Sequence, residues 1–373
     1  MKKFIIILLS ALLCLTSLSM IACSGGNDNQ NNNNDNNQPL APPQDKVETE
    51  LMTFTYKASS KGYTVDTTDA AKTATEIVIP NQVDGYDVVS IADYAFTRFA
   101  SLSKITLGNK IASIGTSAFY ACTALKSITL PESVTIIKAS AFENCTALES
   151  VTLPAEMRSL GNDTFAGCSS LQSIRLPNGL KTLPNNLFSG CDLRSVVIPE
   201  TVTSIKSSVF SNNKNLASVQ LPKGLTSIGD NAFYNTTSLT EILFPSAQSL
   251  MINDYAFAFS GLKKVYLPSN VSLGTYVFQK LCWDDENSIS SCEGIYYQSP
   301  EGDRGINAFG YTWDNPSTGF RIYIPKGSMA YYKTENPGDE SWLRCVVNVS
   351  VENPVLEEYD IEEVFPDGFP CIA

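Results

Sequence analysis

The sequence predicts a mainly β solenoid, in which short parallel strands from successive coils stack on one another. A phrase of about 23 residues recurs through the middle of the chain, and a fixed repeat period of this size is typical of solenoids. Each phrase contains the pattern Leu-x-x-Ile/Val-x-Leu-Pro, whose alternation indicates a short strand that a proline terminates. Each phrase also contains a phenylalanine, and these recur at intervals of 21 to 24 residues: Phe96, Phe119, Phe142, Phe165, Phe188, Phe210, Phe233, Phe257 and Phe278.

The repeats must stack to be stable, because one unit cannot bury its own phenylalanine and three aliphatic side chains. In one unit, Leu148, Val151 and Leu153 are the aliphatic residues expected to point inward. The chain then turns back and inserts the next phenylalanine into the interior. We therefore predict one continuous solenoid over residues 77–278.

The N-terminus has the features of a lipoprotein signal peptide, which we assign to residues 1–22. Lys2 and Lys3 precede an apolar run over residues 4–18 that is too short to span a bilayer comfortably, as in secretory signal peptides. The next residues resemble a bacterial lipobox, in which the cysteine is lipidated and becomes the mature N-terminus. We expect Cys23 to be the lipidation site; the alternative is ordinary cleavage nearby, which would leave Cys23 a free thiol.

Residues 23–45 are expected to form a disordered tether. They are rich in Asn, Gln, Gly and Pro, and they contain too few apolar residues to offset the entropy lost on ordering. A lipid followed by such a tether would hold a folded head away from the bilayer.

The repeats resemble the BspA-like subclass of bacterial leucine-rich repeats, found in surface lipoproteins of the Bacteroides type. The resemblance rests on units that read Ile-x-x-Ile-x-x-x-Ala-Phe-x-x-Cys-x-x-Leu-x-x-Ile-x-Leu-Pro. It implies a right-handed leucine-rich repeat coil over residues 77–278 and an N-terminal β-hairpin cap over residues 46–76. It also implies an irregular C-terminal cap over residues 279–373, where an insertion precedes a closing coil and a C-terminal segment.

The resemblance also implies a function. BspA-like proteins are associated with attachment to host matrix proteins and to other bacteria, so it implies an adhesin-like module that binds a host or bacterial surface protein. The lipobox and the residue after it favour an exported protein that is lipid-anchored to the outer membrane and exposed at the surface. The alternative is a glycan-binding accessory lipoprotein that uses aromatic side chains of the insertion.

The composition argues against several other function classes. The chain contains no histidine, which rules out Ser-His-Asp and Cys-His catalysis within it. A net charge of −12 leaves no basic stripe that could neutralise phosphates, which argues against nucleic acid as a partner. The cysteines lack the paired Cys-x-x-Cys spacing of a zinc site. We therefore predict no enzyme activity, no cofactor and no metal site.

The cysteines fall into separate groups. Four of them occupy one repeat position, three residues after the phenylalanine, and should form a buried ladder of thiols: Cys122, Cys145, Cys168 and Cys191. Later coils place Asn213, Thr236 and Ser260 there, so we expect the position to require a small side chain rather than sulfur. Because export permits disulfides, we consider two candidate pairs near the C-terminus, Cys282 with Cys292 and Cys345 with Cys371.

The candidate binding residues are those that point outward from the strand face, which is concave in related solenoids. In Leu-x-x-Ile-x-Leu these are the third and fifth residues, and in the first coils they are mostly Ser and Thr. Towards the C-terminus they become larger and more varied: Arg175, Val197, Gln220, Glu241, Leu243, Lys264 and Tyr266. Exposed Leu and Tyr among charges are typical of an interface hot spot. The alternative is that Leu243 and Tyr266 pack against the insertion.

Overall fold

Stacked coils of about 23 residues form the body of the protein, as a computed structural model shows. It describes residues 42–247, 249–269 and 271–279, and the backbone of three further strands, Gly294–Tyr297, Arg321–Pro325 and Val355–Tyr359. The predicted mainly β solenoid with short parallel strands is confirmed. We number the coils 1 to 9 by their phenylalanines: Phe96, Phe119, Phe142, Phe165, Phe188, Phe210, Phe233, Phe257 and Phe278.

The solenoid has two strand-bearing sides, which we call face A and face B, and a third side that we call the turn face. Face A arises from the Leu-x-x-Ile/Val-x-Leu pattern, in which every second residue enters the core. In Ser195–Val197, for example, Val196 is buried between two exposed residues, and it lies opposite Val219 of the next coil. The face A strands are Glu76–Val78, Lys104–Thr106, Ser127–Thr129, Ser150–Thr152, Ser195–Val197, Ser218–Gln220 and Lys264–Leu267.

Face B consists mainly of two-residue strands that immediately precede the turns. Ile136–Ile137 pairs in parallel with the equivalent strand of the coil on each side. The face B strands are Tyr86–Ile91, Ser113–Ile114, Ile136–Ile137, Ser159–Leu160, Thr182–Leu183, Ser204–Ile205, Ser227–Ile228, Leu250–Ile252 and Val271–Leu273. They form two separate sheets, because the strand of coil 4 does not pair with that of coil 5.

A small antiparallel unit closes the N-terminal end of the solenoid. The hairpin of Met52–Lys57 and Gly62–Thr67 is confirmed, and a third strand that was not predicted, Lys46–Glu48, pairs with its first strand. The second hairpin strand pairs in parallel with Tyr86–Ile91, so it covers the edge of face B that would otherwise be open. A 3-10 helix, Asp69–Thr73, then leads into face A, and the two-residue strand Gln82–Val83 pairs antiparallel with Tyr86–Ile91.

The turn face has a backbone pattern that repeats from coil 1 to coil 8. Two residues four positions apart adopt left-handed conformations with positive φ, and most of them are Ser, Asn, Asp or Gly. In coils 1 to 8 these pairs are Tyr94 and Arg98, Ser117 and Ala121, Ser140 and Asn144, Asp163 and Gly167, Asn186 and Gly190, Ser208 and Asn212, Asn231 and Asn235, and Tyr255 and Phe259.

N–H groups on the turn face donate to carbonyls of the next coil towards the C-terminus. N–H groups that flank the face B strands donate to carbonyls of the preceding coil. The N–H of Phe119 donates to the Ala141 carbonyl at 2.7 Å, and the N–H groups of Ser117 and Ala121 donate to residues 139 and 143 at 2.9 and 2.8 Å. On face B, the N–H of Gly115 donates backwards to residue 91 at 3.1 Å. These bonds satisfy the polar backbone groups that stacking would otherwise bury unpaired.

The phenylalanines form one continuous stack inside the turn face. All nine are at most 1% exposed. Neighbouring ring centroids lie 5.0–5.9 Å apart, with interplanar angles of 2–18°. Each ring therefore buries its faces against the two neighbouring coils, and the core is continuous along the solenoid.

In coils 2 to 7, the residue three positions after the phenylalanine donates a hydrogen bond in the core. Four thiols each donate to the carbonyl of the phenylalanine one coil earlier, at 3.1–3.2 Å: Cys122, Cys145, Cys168 and Cys191. Asn213 makes the same bond to Phe188 at 2.7 Å, and Thr236 bonds the Phe233 carbonyl of its own coil at 2.8 Å. The buried thiol ladder is confirmed. In these six coils the position holds a hydrogen-bond donor, whereas coil 1 has the buried Phe99 there and the buried Ser260 hydroxyl of coil 8 has no hydrogen-bond partner within the described residues.

Ionisation of three of these thiols, Cys145, Cys168 and Cys191, should destabilise the protein at alkaline pH. Burial raises the pKa of Cys168 to about 12, against 9.0 for an ordinary thiol. Burial also raises the pKa of Cys191, and the Cys122 thiol together with burial raises that of Cys145. The folded state keeps protons that the unfolded state releases, so stability should be constant below about pH 9. Above it, stability should fall by about 1.4 kcal/mol per pH unit for each of these three thiols.

Urea denaturation of wild type and Cys168→Ser between pH 8 and pH 10.5 measures this effect. Serine keeps a hydroxyl donor but does not ionise in this range, and both proteins share all their tyrosines. We expect the variant to lose stability less steeply above pH 9. The same slope in both proteins would contradict the prediction.

The C-terminal region continues the strand ladder of face A. Lys264–Leu267 pairs in parallel with Gly294–Tyr297, which pairs with Arg321–Pro325, which in turn pairs with Val355–Tyr359. The predicted irregular cap thus contains regular parallel strands, although its spacing departs from the repeat period.

Candidate interaction surface on face A

The outward side chains of face A follow from the alternation of its strands. Where the central residue of a strand enters the core, the residues on either side of it face solvent. From the first strand to coil 7, all of these side chains are exposed: Glu76, Val78, Lys104, Thr106, Ser127, Thr129, Ser150, Thr152, Ser173, Arg175, Ser195, Val197, Ser218, Gln220, Glu241 and Leu243.

The N-terminal half of this surface is polar apart from Val78. Ser127 lies opposite Ser150 and Thr129 opposite Thr152, so the hydroxyl-bearing residues form a ladder. Lys104 forms an ion pair with Glu76 of the preceding strand at 3.5 Å, and both side chains are more than 60% exposed. Such an exposed pair contributes little to stability.

The C-terminal half of the surface carries exposed aliphatic side chains. Val197 is 61% exposed and Leu243 is 37% exposed. Gln220 lies directly beside Val197 in the strand register, and the exposed side chains of Arg175 and Glu241 occupy the same face. These five predicted candidates are therefore together on one solvent-facing surface.

Two segments that carry candidate residues depart from regular strand pairing. Residues 173–175 and 241–243 form no strand, although the central residue of each, the partly buried Ile174 and the buried Ile242, lies between two exposed residues. In coil 4, the Gln172 carbonyl still accepts the Arg194 N–H at 3.0 Å. Arg175, Glu241 and Leu243 thus lie where the backbone ladder is interrupted.

The expectation that Tyr266 is exposed was wrong. Tyr266 is 8% exposed and Lys264 is half-buried, with the Lys264 Nζ 5.8 Å from the Tyr266 ring centroid. In register, Tyr266 lies beside Tyr296 of the next strand, which belongs to the region that the repeat pattern does not describe. Among the described residues, the run of exposed side chains on face A therefore ends with coil 7.

The sequence reasoning missed one exposed aliphatic residue. Val78 is 60% exposed on the first face A strand. It is in the same register as Thr106 of coil 1, so the alternation Ile77-Val78-Ile79 already contained the information. Its exposure gives the N-terminal end of face A an apolar residue of its own.

Several predicted sites lie outside the described residues. They are the lipidation site Cys23 and the candidate disulfide cysteines Cys282, Cys292, Cys345 and Cys371. Within the described part of the chain, no group of three acidic or cysteine side chains is placed to hold a metal ion. None of its helices is long and apolar enough to cross a membrane.

Comparison with known proteins identifies the repeats. A family model described as the BspA type leucine-rich repeat region, in six copies, matches residues 89–217 and 181–299, which together cover more than half of the chain. The chain belongs to the BspA-type leucine-rich repeat family. Its BspA-type solenoid resembles a leucine-rich repeat protein from Bacteroides ovatus at 23% identity and a TM-score of 0.54, over 74% of this chain and 70% of that one.

Two further solved structures match the BspA-type chain at lower TM-scores. A Treponema pallidum leucine-rich repeat protein is 26% identical over 52% of this chain and 89% of its own, with a TM-score of 0.47. A leucine-rich cell surface protein from Faecalibacterium prausnitzii is 23% identical over 76% of this chain and 89% of its own, with a TM-score of 0.45. No curated protein matches the sequence. The BspA-type repeat solenoid is typically a non-catalytic binding scaffold, consistent with a protein-interaction module.

Proposed function

We propose that this protein is a cell-surface lipoprotein whose solenoid binds protein partners through face A. The observation that carries the proposal is the exposure of Val197 and Leu243 on a face whose other outward residues beyond coil 1 are polar or charged. An apolar centre among polar and charged side chains, here with Arg175 and Glu241, is the composition of a small protein-binding hot spot. Membership of the BspA-type family supports this function.

In this proposal the chain is exported and anchored to the outer membrane by a lipid on Cys23, with the solenoid outside the cell. The cationic start, the apolar run over residues 4–18 and the Ala22-Cys23 pair support it. Residues 23–45 act as the tether, and the partner is a host matrix protein or a bacterial surface protein.

A binding screen with a matched pair of double variants tests the use of face A. The chain from residue 42 onward is offered host matrix proteins, bacterial surface proteins and a glycan array. Changing Val197 and Leu243 together to serine should weaken binding of a captured protein at least tenfold, because hot-spot truncations cost about 2 kcal/mol or more. The control changes Ile136 and Met251 to serine; both are 45% exposed but lie on face B.

The control double variant should bind like wild type. Equal affinity in both double variants would contradict the use of face A. Binding of glycans without any protein would instead support the glycan-binding alternative.

Expression of the full chain in cells tests the anchor. The Cys23→Ala variant should lose both lipid labelling and membrane association, while its solenoid keeps its affinity for the partner. Absence of lipid label from the wild-type chain would rule out the lipoprotein part of the proposal and leave the face A experiment unaffected.

A further inference from the structure

The stacking of the coils is interrupted between coil 4 and coil 5. On face B, Ser159–Leu160 is the last strand of one sheet and Thr182–Leu183 is the first strand of the next. On face A, coil 4 contributes no strand, as is also true of coil 7, so pairing stops at Ser150–Thr152 and resumes at Ser195–Val197. One backbone bond, from the Arg194 N–H to the Gln172 carbonyl at 3.0 Å, still joins coils 4 and 5 on this face. Strand pairing is therefore interrupted on both sides at this junction, and only face B loses its bonds there completely.

The amino-acid sequence explains the gap on face B. In the neighbouring coils, the residue after the strand donates its N–H to the last strand residue of the preceding coil. Gly161 of coil 4 and Lys206 of coil 6 make this bond at 2.8 and 3.0 Å. Coil 5 has Pro184 at this position, and proline has no N–H to donate. The bond that would join coil 5 to Leu160 cannot form.

A second bond is missing at the other end of the same strand. Arg158 donates its N–H to Thr135 at 3.1 Å, and Thr203 donates to Lys181 at 3.0 Å. The Lys181 N–H makes no such bond with the Arg158 carbonyl within the described residues. Arg158 and Lys181 are exposed cations at equivalent positions of adjacent coils, and their like charges oppose close approach.

The turn face remains continuous at the same junction. The Phe165 N–H donates to Leu187 at 3.0 Å, and the Cys191 thiol donates to the Phe165 carbonyl at 3.1 Å. The centroid distances between neighbouring phenylalanine rings are larger in this part of the stack. They are 5.5, 5.7 and 5.8 Å from coil 3 to coil 6. Between coils 1 and 3, and between coils 6 and 8, they are 5.0–5.2 Å. The wide spacing recurs only between coils 8 and 9, at 5.9 Å.

We propose that the junction between coils 4 and 5 is a hinge, at which the strand-bearing sides open while the turn face holds the halves together. In a repeat protein each coil is stabilised by its neighbours, so the junction with the fewest bonds opens most readily. Arg175 and Val197 lie on opposite sides of this hinge, and opening would change their separation. A partner that contacts both would therefore favour one state of the hinge. The hinge is a property of the free protein and goes beyond the binding function proposed above.

Amide hydrogen exchange on the full chain tests the hinge at three equivalent positions of face B. The Lys181 amide is expected to exchange at least tenfold faster than the amides of Arg158 and Thr203, which are hydrogen-bonded. The Phe165 amide, which crosses the same junction on the turn face, is expected to stay protected. Equal protection at Lys181 and Thr203 would overturn the hinge. Exchange at Phe165 as fast as at Lys181 would also overturn it, because the whole coil would then be opening.

A variant that restores the missing N–H donor at residue 184 tests the role of Pro184. Pro184→Lys should fold, because Lys138 and Lys206 occupy this position in other coils, and it should slow exchange at residue 181 at least fivefold. Pro131→Ala removes a proline at the end of a face A strand, far from the hinge, and should leave exchange at residue 181 unchanged. Unchanged exchange in Pro184→Lys, or equal slowing in both variants, would contradict the role of Pro184.

Discussion

Replacing Phe165 by alanine is expected to lower the free energy of unfolding by about 3–5 kcal/mol. The ring is fully buried and stacks on Phe142 and Phe188 at centroid distances of 5.5 and 5.7 Å. Its removal leaves a cavity in the middle of the stack. The neighbouring rings cannot fill that cavity, because hydrogen bonds between the turns hold each ring in its own coil. Urea denaturation followed by circular dichroism measures the loss.

Tyr94→Ala serves as the control for this experiment. Tyr94 is also an aromatic residue of the turn face, but it is 63% exposed, so its truncation should change stability by no more than about 0.5 kcal/mol. Similar denaturation midpoints for the two variants would show that the phenylalanine stack does not carry the stability we assign to it.

The second large effect concerns Gly161, where alanine is expected to destabilise the protein by about 2–3 kcal/mol. A Cβ at this position would lie 2.2 Å from the Ala139 nitrogen and 2.5 Å from the Lys138 carbonyl carbon. Both are backbone atoms of the preceding coil, so relief requires the two coils to move apart. That movement would strain the bond from the Gly161 N–H to Ile137.

Gly224 provides the matched control, because a Cβ there would meet nothing within 4 Å. Gly224→Ala should be neutral or stabilise by up to about 1 kcal/mol, since alanine restricts the unfolded chain. Only Gly161→Ala should thus destabilise the protein. Destabilisation of both by the same amount would mean that the contact with coil 3 is not the cause.

The sequence predicts this fold well because two independent periods agree. The phenylalanine spacing identifies the coils, and the alternation within residues such as 195–197 identifies the side of each strand that faces solvent. Both depend only on short-range pattern and on the need of each coil to bury apolar side chains against its neighbours. Exposure of Val197 and Leu243 followed from the same alternation.

The burial of Tyr266 was not predicted by the repeat pattern. Its position in the alternation is the same as that of Leu243, but a non-repeating region supplies its neighbouring strand. The repeat pattern contains no information about that strand, so the burial of Tyr266 could not be read from it. The predicted binding roles of Arg175, Val197 and the other exposed candidates stay predictions.

Two other features were present in the sequence but were not recognised. The position of Cys122 is occupied in later coils by Asn213 and Thr236, all of which can donate a hydrogen bond. Size alone would have allowed alanine there. Pro184 likewise stands in the repeat where an N–H is needed, although proline is not expected within a parallel ladder. In both cases the backbone bonds had to be seen before the residue choice made sense.

The opposite directions of the hydrogen bonds on the turn face and on face B have an electrostatic consequence. In an α-helix all peptide dipoles point the same way, which gives each end about half a unit charge. In this solenoid the N–H of Phe119 points towards the C-terminal end and that of Gly115 towards the N-terminal end, so their dipoles oppose each other along the axis. The axial peptide dipoles of such a chain therefore cancel at least in part as whole coils are added, unlike those of a lengthening α-helix.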